Sequence, residues 1–304
     1  YLSITMSKVS ITIIGLNGFL GKPVLEAINS GIFDDKINFP IKAITRKEPE
    51  TKNDKIEYVV SEINEESIKS TLSQKLSGTD VIIELIGPNP EAFANIEKLI
   101  DAIKPKLFIP SQFGTDIPKV DEYAPGFLGI KTQHSENVRK LGVKVVDIIT
   151  SLFAVPGAFL YEWVGSTGIN ADDKTVKLIG DINQQFDISK LEDVGKAVLS
   201  IATNPNPREL PDTIRIGSDR ITVKDVIDRY SKDHNVELKV VSEQSAEDAK
   251  KEFTESLKAG FDGEKFLWYL QVIAAQGLDK GLLSSKLDNE LVNPGESLWK
   301  WGKY

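Results

Sequence analysis

Hydrophobic residues in the first half of the chain alternate between short β-branched runs and longer segments with helical spacing. The run VSITIIG at 9–15 is typical of a buried strand that ends in a tight turn, and apolar positions from Lys22 to Ser30 follow helical spacing. The alternation continues with strands at 41–46, 56–60, 80–87, 106–111 and 143–150 and helices at 64–76, 90–103 and 124–141. This pattern predicts an α/β protein with a doubly wound parallel sheet of the Rossmann type.

The alternation weakens after about Leu152, where shorter apolar segments are separated by Gly, Pro and Asn. The pattern there predicts strands at 175–180 and 213–217 and helices at 191–203, 222–234, 245–259 and 263–276. We therefore expect two parts, a Rossmann domain at 1–152 and a smaller mixed α/β region at 153–304 that packs against it and faces the substrate.

Three glycines, Gly15, Gly18 and Gly21, lie between the first predicted strand and the first helix. In a dinucleotide-binding loop they would form the tight turn, let the backbone approach a pyrophosphate, and pack the helix closely against the strand. Amides at the helix start would meet the phosphates. The expected cofactor contacts of this loop are Gly15, Asn17, Gly18, Phe19, Leu20 and Gly21. A phosphate-loop motif fits less well, because Pro23 follows Lys22; an ordinary strand-to-helix turn is the remaining alternative.

The second predicted strand ends at Arg46 and Lys47, where NAD-selective proteins usually place an acid that binds the ribose diol. A guanidinium at this position can engage the 2′-phosphate of NADP(H), and Lys47 adds positive charge. The pattern therefore favours NADP(H) over NAD(H). Glu48 weighs against this preference, and two solvated bases at a strand end are the alternative.

Composition narrows the range of functions. Hydrophobic residues make up 40% of the chain and charged residues 27%, and no apolar run approaches the roughly 20 residues that cross a bilayer. We expect a cytoplasmic protein with no membrane association, whose native start is Met6 and which has no secretory signal. With 45 acids against 37 bases, the net charge of -8 disfavours direct nucleic-acid binding.

Cysteine is absent, which excludes disulfides, thiolate zinc sites and cysteine nucleophiles. The chain has two histidines, His134 and His234, so a histidine-rich metal site is not expected. Proton transfer would then fall to a lysine, a carboxylate, a tyrosine or a cofactor.

The glycine loop, Arg46, the stretch PSQFGTD at 110–116 and Lys131 together resemble the NmrA-like and isoflavone-reductase-like family of atypical short-chain dehydrogenases. The resemblance covers most of residues 8–200 and is most specific at IPSQFG, where Gln112 replaces the acid that is usual in the family. It implies an NADPH-dependent reductase of a small apolar or aromatic carbonyl, enone or phenol-derived substrate.

Lys131 matches the lysine that stands near the nicotinamide and the substrate in the reductases of this family. The resemblance implies that it contacts the cofactor and polarises a substrate oxygen or moves a proton while the nicotinamide delivers hydride. The usual Tyr-x-x-x-Lys pair is absent, because Phe127 occupies the tyrosine position. Two alternatives stay open: Lys131 binds the ribose in a non-catalytic NAD(P) sensor that regulates a protein partner, or it is an exposed helix lysine. His134 is expected to face solvent.

Further positions that match the family follow predicted strands, namely Gly87, Pro88, Phe113, Ser151 and Phe153. Because ligands of open α/β sheets bind at the carboxyl ends of the strands, we expect these residues to line one crevice. Of them, Gly87, Phe113 and Phe153 are expected cofactor contacts.

Two features outside that crevice carry structural expectations. Asp193 is expected to cap a helix start rather than to take part in chemistry. An aromatic-rich segment near the end of the chain is expected to pack in the core, with a substrate lid as the alternative; it contains Phe261, Phe266, Leu267, Trp268 and Tyr269. A homodimer is compatible with the sequence.

Overall fold

A parallel five-stranded sheet, in the order β3-β2-β1-β4-β5, forms the centre of the N-terminal half. The computed structural model describes residues 7–154 and 164–304, so the expected start at Met6 lies outside them. The strands are β1 (Val9–Ile14), β2 (Ile37–Thr45), β3 (Ile56–Val60), β4 (Val81–Glu84) and β5 (Leu107–Ile109). The strand order reverses between β1 and β4, which is the point where this fold opens a ligand crevice. The predicted doubly wound sheet is confirmed.

Both faces of this sheet are buried. Ile13 of β1 pairs in register with Ile83 of β4 and belongs to the core on one face, whereas the neighbouring Ile14 belongs to the core on the other face. Strands that are covered on both sides bury consecutive residues, which explains why they appear in the sequence as uninterrupted apolar runs.

The helices around this sheet follow the predicted pattern with three differences, the first of which is a short helix at Ile117–Asp121 that the pattern does not predict. The helices are α1 (Gly21–Asn29), α2 (Glu65–Ser67), α3 (Ser73–Lys75), α4 (Pro90–Ile103), α5 (Ile117–Asp121) and α6 (Gly129–Lys140). A π-helical turn, Ile68–Leu72, joins α2 to α3 where one regular helix is predicted. The helix predicted at 124–141 begins five residues later, at Gly129, because Pro125 and Gly126 (φ +105°) interrupt the chain before it.

The second half contains small sheets and further helices. Its strands are β6 (Asp147–Ile149), β7 (Leu152–Phe153), β8 (Ile169–Asn170), β9 (Thr175–Ile179), β10 (Gln185–Ser189), β11 (Thr213–Arg215), β12 (Asp219–Thr222) and β13 (Lys239–Gln244). Its helices are α7 (Leu191–Ala202), α8 (Val223–Asp233), α9 (Ala246–Lys258), α10 (Phe266–Ala275) and α11 (Asn289–Val292). They form three sheets, β12-β10-β7, β11-β6 and β13-β9-β8. None of the helices in the described ranges is long and apolar enough to cross a membrane.

Helix α7 packs on the N-terminal sheet although it lies beyond residue 152. A Cβ at Gly195 would stand 2.1 Å from the carbonyl oxygen of Pro23, so this glycine lets α7 approach the backbone of α1. Val194 and Val198 of α7 belong to the same core as Ile13. The N-terminal core therefore includes residues from the second half of the chain. The predicted domain boundary at residue 152 remains a prediction.

Buried carboxylates attach the last segment of the chain to the rest. Asp193 accepts hydrogen bonds from Ser218 Oγ at 2.6 Å and from the backbone N–H of Gly302 at 2.8 Å. The N-cap of α7 is instead Lys190, whose side chain makes no capping bond. The prediction that Asp193 caps this helix is therefore wrong: its carboxylate ties α7 to the C-terminal segment, and burial raises its pKa, against the hydrogen bonds from Ser218 and Gly302.

Candidate functional site

A cleft of about 1560 Å³ opens at the carboxyl ends of β1, β2, β4 and β5. It gathers the residues that the sequence singles out as cofactor contacts, with one exception. The lining includes Gly15, Asn17, Gly18, Phe19, Leu20, Arg46, Lys47, Gly87, Phe113, Lys131 and Phe153. Gly21 is the exception, and Pro88 and Ser151 also face the cleft. The residues that follow the separate strands thus line one crevice, as expected.

The glycine loop has no room for side chains at two positions. Gly15 has φ +87°, and a Cβ there would stand 2.6 Å from the carbonyl oxygen of Leu85. A Cβ at Gly21 would stand 1.8 Å from the carbonyl oxygen of Leu16. The expectation that Gly21 packs the helix against the strand needs correction, since its close contact lies within the loop itself.

The end of this loop presents amides that other parts of the protein leave free. The N–H groups of Gly18 and Gly21 are used within the loop, bonding to the carbonyls of Gly15 and Gly18 at 3.0 and 3.1 Å. The N–H groups of Phe19 and Leu20 have no partner within residues 7–154 and 164–304. They precede the N-terminus of α1, where no side chain caps the helix. Unpaired amides beside a helix N-terminus suit an anionic diphosphate, and the narrow turn at Gly15 leaves the backbone accessible to it.

Arg46 and Lys47 lie at the end of β2, on the side of the cleft away from β5. Both side chains are exposed, and neither forms an ion pair within the described part of the chain. Glu48 does not line the cleft, but Glu62 does. The two bases therefore remain available to a phosphate that enters from this side.

The opposite end of the cleft contains residues in backbone conformations that are rare for side-chain-bearing residues. Phe113, Leu128 and Ser151 have φ of +24°, +52° and +55°. The surrounding structure holds them: Ser151 N–H donates to the carbonyl of Gly114 at 2.9 Å, and Gly114 N–H donates to Thr150 Oγ1 at 2.7 Å. Strained backbone of this kind concentrates at functional sites.

Lys131 lies in the first turn of α6 and reaches the same end of the cleft. Its Nζ donates a hydrogen bond to the backbone carbonyl of Gln112 at 2.9 Å. Burial lowers the pKa of Lys131 to about 8, and the negative charge of Glu84 opposes this effect. A lysine whose pKa lies close to the working pH gains and loses its proton more readily than a lysine with the ordinary pKa.

His134 lies one helical turn beyond Lys131 and is 2% exposed, so the expectation that it faces solvent is wrong. Its Nε2 lies 2.8 Å from Glu84 Oε2, and its Nδ1 lies 2.8 Å from Glu97 Oε1. The ring stacks on Phe93 with centroids 4.1 Å apart. Burial opposes the charge on His134, but the hydrogen bonds and charges of the two carboxylates outweigh it and raise the pKa.

Sequence reasoning did not single out Glu84 or Glu97. The available signal was Glu84, a charged residue inside the apolar run VIIELI at 81–86. Its side chain is fully buried, and a buried carboxylate at the carboxyl end of a central strand is rare unless it is paired.

The aromatic residues divide between core and cleft. Phe127, at the position of the missing tyrosine, is fully buried among other aromatic rings and does not line the cleft. Tyr269 is buried against it, which agrees with core packing. Phe261 and Phe266 face the cleft, so this segment also supplies part of the cleft wall.

Comparisons with known proteins agree with this architecture. Eugenol synthase 1 of Petunia hybrida is 28% identical over 225 residues, which cover 69% of this chain and 68% of that protein. The crystal structure of isoflavone reductase gives a TM-score of 0.61 at 21% identity, with 87% of each chain covered. The binary complex of leucoanthocyanidin reductase with NADPH from Vitis vinifera gives a TM-score of 0.61 at 17% identity, covering 88% of this chain and 85% of that one.

The family relationship rests on a match to a family model rather than on these pairs. The model of the NmrA-like family matches residues 7–274, which include the glycine loop, the strand-end residues, Lys131 and the aromatic wall. The resemblance seen in the sequence is therefore confirmed, and this protein belongs to the NmrA-like family.

Proposed function

We propose that this protein is an NADPH-dependent reductase of a small apolar or aromatic carbonyl, enone or phenol-derived substrate. The observation that carries the proposal is one continuous cleft with anion-binding features at one end and a lysine between apolar walls at the other. This arrangement matches what a hydride-transfer enzyme needs, namely a cofactor grip and a water-poor site beside it.

The cofactor end supports NADP(H). The free amides of Phe19 and Leu20 would hold the diphosphate, and Arg46 with Lys47 would hold the 2′-phosphate on the β2 side. The relative of known structure that was solved with NADPH shares this fold. Bound NADPH would supply a hydride from its nicotinamide, which would lie toward β4 and β5 if the 2′-phosphate is held at the end of β2.

The substrate end supports an apolar acceptor with one reactive oxygen. Its walls include Phe113, Phe153, Phe261 and Phe266, and Lys131 is the charged residue among its described lining residues. The aromatic rings would enclose a planar substrate, while the ammonium group hydrogen-bonds to the oxygen that gains charge during reduction. Eugenol synthase and isoflavone reductase, which resemble this chain, are consistent with such a substrate class.

Lys131 is proposed to polarise that oxygen and to move a proton to or from it. Its Nζ is held by the carbonyl of Gln112, so its position is set before the substrate arrives. Phe127 provides no hydroxyl, so a tyrosine-assisted transfer at this position is not available to the chain.

The test is turnover with a lysine replaced. Purified protein is given NADPH and a panel of aromatic aldehydes, enones and phenolic esters, and NADPH oxidation is followed by absorbance. We expect Lys131→Ala to lower turnover about 100-fold or more while NADPH binding measured by calorimetry persists. Lys140→Ala, an exposed lysine at the far end of the same helix, is the matched control and should keep full activity.

Two outcomes would contradict the proposal in different ways. Equal turnover in the wild-type and Lys131→Ala proteins would remove Lys131 from the chemistry. Tight NADPH binding with no turnover on any acceptor, together with a protein partner whose capture depends on the cofactor, would instead identify a sensor.

A further inference from the structure

A cluster of three ionisable side chains, the buried Glu84 and His134 and the partly exposed Glu97, lies close to Lys131. Each ring nitrogen of His134 faces one carboxylate oxygen at 2.8 Å. When both carboxylates are ionised they accept hydrogen bonds, so both ring nitrogens donate and the ring is an imidazolium, the form that the two negative charges favour. The cluster then holds two negative charges and one positive charge, which leaves a net negative charge beneath the cleft.

Glu84 connects this cluster to the group that holds Lys131. Its Oε1 accepts a hydrogen bond from the backbone N–H of Ser111 at 3.0 Å. Ser111 lies two residues beyond the end of β5, and the carbonyl of the following residue, Gln112, accepts the hydrogen bond from Lys131 Nζ. One carboxylate thus positions the acceptor of Lys131 through the backbone and also acts on its charge through space.

We propose that the Glu84–His134–Glu97 cluster is a positioning device for Lys131, in which Glu84 fixes the Gln112 carbonyl and sets the pH at which Lys131 loses its proton. This inference rests on the proposed role of Lys131. It assigns to Glu84 and His134 no contact with substrate or cofactor, and neither residue lines the cleft.

The surroundings of the cluster limit which charges act on Lys131. From α4, Glu97 faces His134 on the side away from Glu84 and also accepts a hydrogen bond from Asn137 Nδ2 at 3.1 Å. Phe93 of α4 and Phe108 of β5 cover the imidazolium ring and carry no charge.

Other ionisable groups on or near α6 are engaged elsewhere. Ser135 donates to Asp147 of β6, which is also paired with Arg139. The other charged residues that line the cleft are Arg46, Lys47 and Glu62, which follow β2 and β3, and Glu91, which lies in the first turn of α4. Within the described part of the chain, Glu84 is the carboxylate whose charge acts on Lys131.

The sign of the effect follows from the charges. Burial favours the neutral amine, while the Glu84 carboxylate stabilises the ammonium and keeps the pKa of Lys131 from falling further. Replacing Glu84 by glutamine removes this charge but preserves the shape. The new amide can still accept from Ser111 and donate to a neutral imidazole whose Nδ1–H bonds to Glu97. The remaining negative charge then lies on Glu97, beyond the imidazole, and no longer on the side chain that acts on Lys131.

The experiment measures the protonation of Lys131 itself. Lysines are reductively methylated with ¹³C-formaldehyde, the Lys131 signal is assigned by its loss in Lys131→Arg, and its chemical shift is followed with pH. We expect a wild-type midpoint near 8. In Glu84→Gln the midpoint should fall by about one pH unit. Glu97→Gln makes the same chemical change beyond the imidazole and should leave the midpoint in place.

A purely structural role for the cluster would lower thermal stability in both variants without moving the Lys131 midpoint. An unchanged midpoint in Glu84→Gln, or equal shifts in the two variants, would overturn the proposal. A second measurement applies if Glu84→Gln does not fold. With two histidines in the chain, ¹⁵N spectra of the wild-type protein resolve His134, which should be mainly an imidazolium at pH 6.5, the ordinary pKa of a histidine side chain, because its pKa is raised. A neutral ring at that pH would equally overturn the proposal.

These readouts do not depend on turnover, so they separate this inference from the proposed function. If the Lys131 midpoint moves as expected but no acceptor is reduced, the cluster still tunes Lys131 and the reductase assignment fails. If acceptors are reduced but the midpoint does not move, the reductase assignment stands and the cluster has no part in it. With an active enzyme, the limb of the kcat/KM profile that belongs to Lys131 should move together with the midpoint.

Discussion

Gly15→Ala tests the glycine turn on which cofactor binding depends. The added methyl would stand 2.6 Å from the carbonyl oxygen of Leu85 and 2.9 Å from a side-chain carbon of Ile86, in a backbone conformation with φ +87°. The left-handed conformation alone costs a non-glycine residue roughly 1–2 kcal/mol. Because β1 and β4 are paired at this point, the contact cannot be relieved without moving a strand end.

Gly142→Ala separates these two contributions. Gly142 has φ +81° and no atom within 4 Å of an added Cβ, and it is exposed and remote from the cleft. Both variants lose the same chain entropy in the unfolded state, so this effect cancels in the comparison. We expect Gly142→Ala to lower the free energy of unfolding by about 1 kcal/mol and Gly15→Ala by about 3 kcal/mol, measured by urea denaturation.

Cofactor binding supplies the second readout. Displacement of the turn moves the amides of Phe19 and Leu20, so Gly15→Ala should bind NADPH at least about tenfold more weakly by calorimetry, a loss of about 1.4 kcal/mol. Gly142→Ala should bind NADPH like the wild type. If Gly15→Ala matched Gly142→Ala in both stability and affinity, the close approach of the turn to Leu85 would have no energetic importance and the proposed cofactor grip would be refuted.

Two further variants test the remaining charges. Arg46→Ala should weaken NADPH binding about 30-fold, roughly 2 kcal/mol for a charge-assisted phosphate contact, as measured by calorimetry. NADH binding should stay unchanged, because NADH has no 2′-phosphate. Equal losses for both nucleotides would contradict a 2′-phosphate contact. Lys131→Met should raise the free energy of unfolding by about 1–2 kcal/mol at neutral pH. The folded pKa of Lys131, about 8, lies below its ordinary 10.5, so the buried ammonium costs stability below pH 8 and the gain should fade as pH rises toward 10.5. A pH-independent gain in urea denaturation would contradict this reasoning.

Local sequence determined the strands of the parallel sheet, most helices and the glycine loop. The helix predicted at 90–103 matches α4 residue for residue, and the strand at 56–60 matches β3. These elements follow from periodicity and from caps such as Asn89, whose side chain accepts from Ala92 N–H. Gly15 and Arg46 could be located at the cleft for the same reason, because each immediately follows a strand that ends there.

Tertiary structure alone decided the surroundings of Lys131. The partners of His134 are 37 and 50 residues away along the chain, on α4 and β4. A hydrophilic helix such as α6 shows no periodic signal that one polar residue is buried, so His134 looks solvent-exposed in the sequence. Likewise, the contact of Gly195 with Pro23 joins two helices that are distant in sequence. Short-range patterns encode the conformation of a segment, whereas burial, charge pairing and pKa depend on which distant segments the fold brings against it.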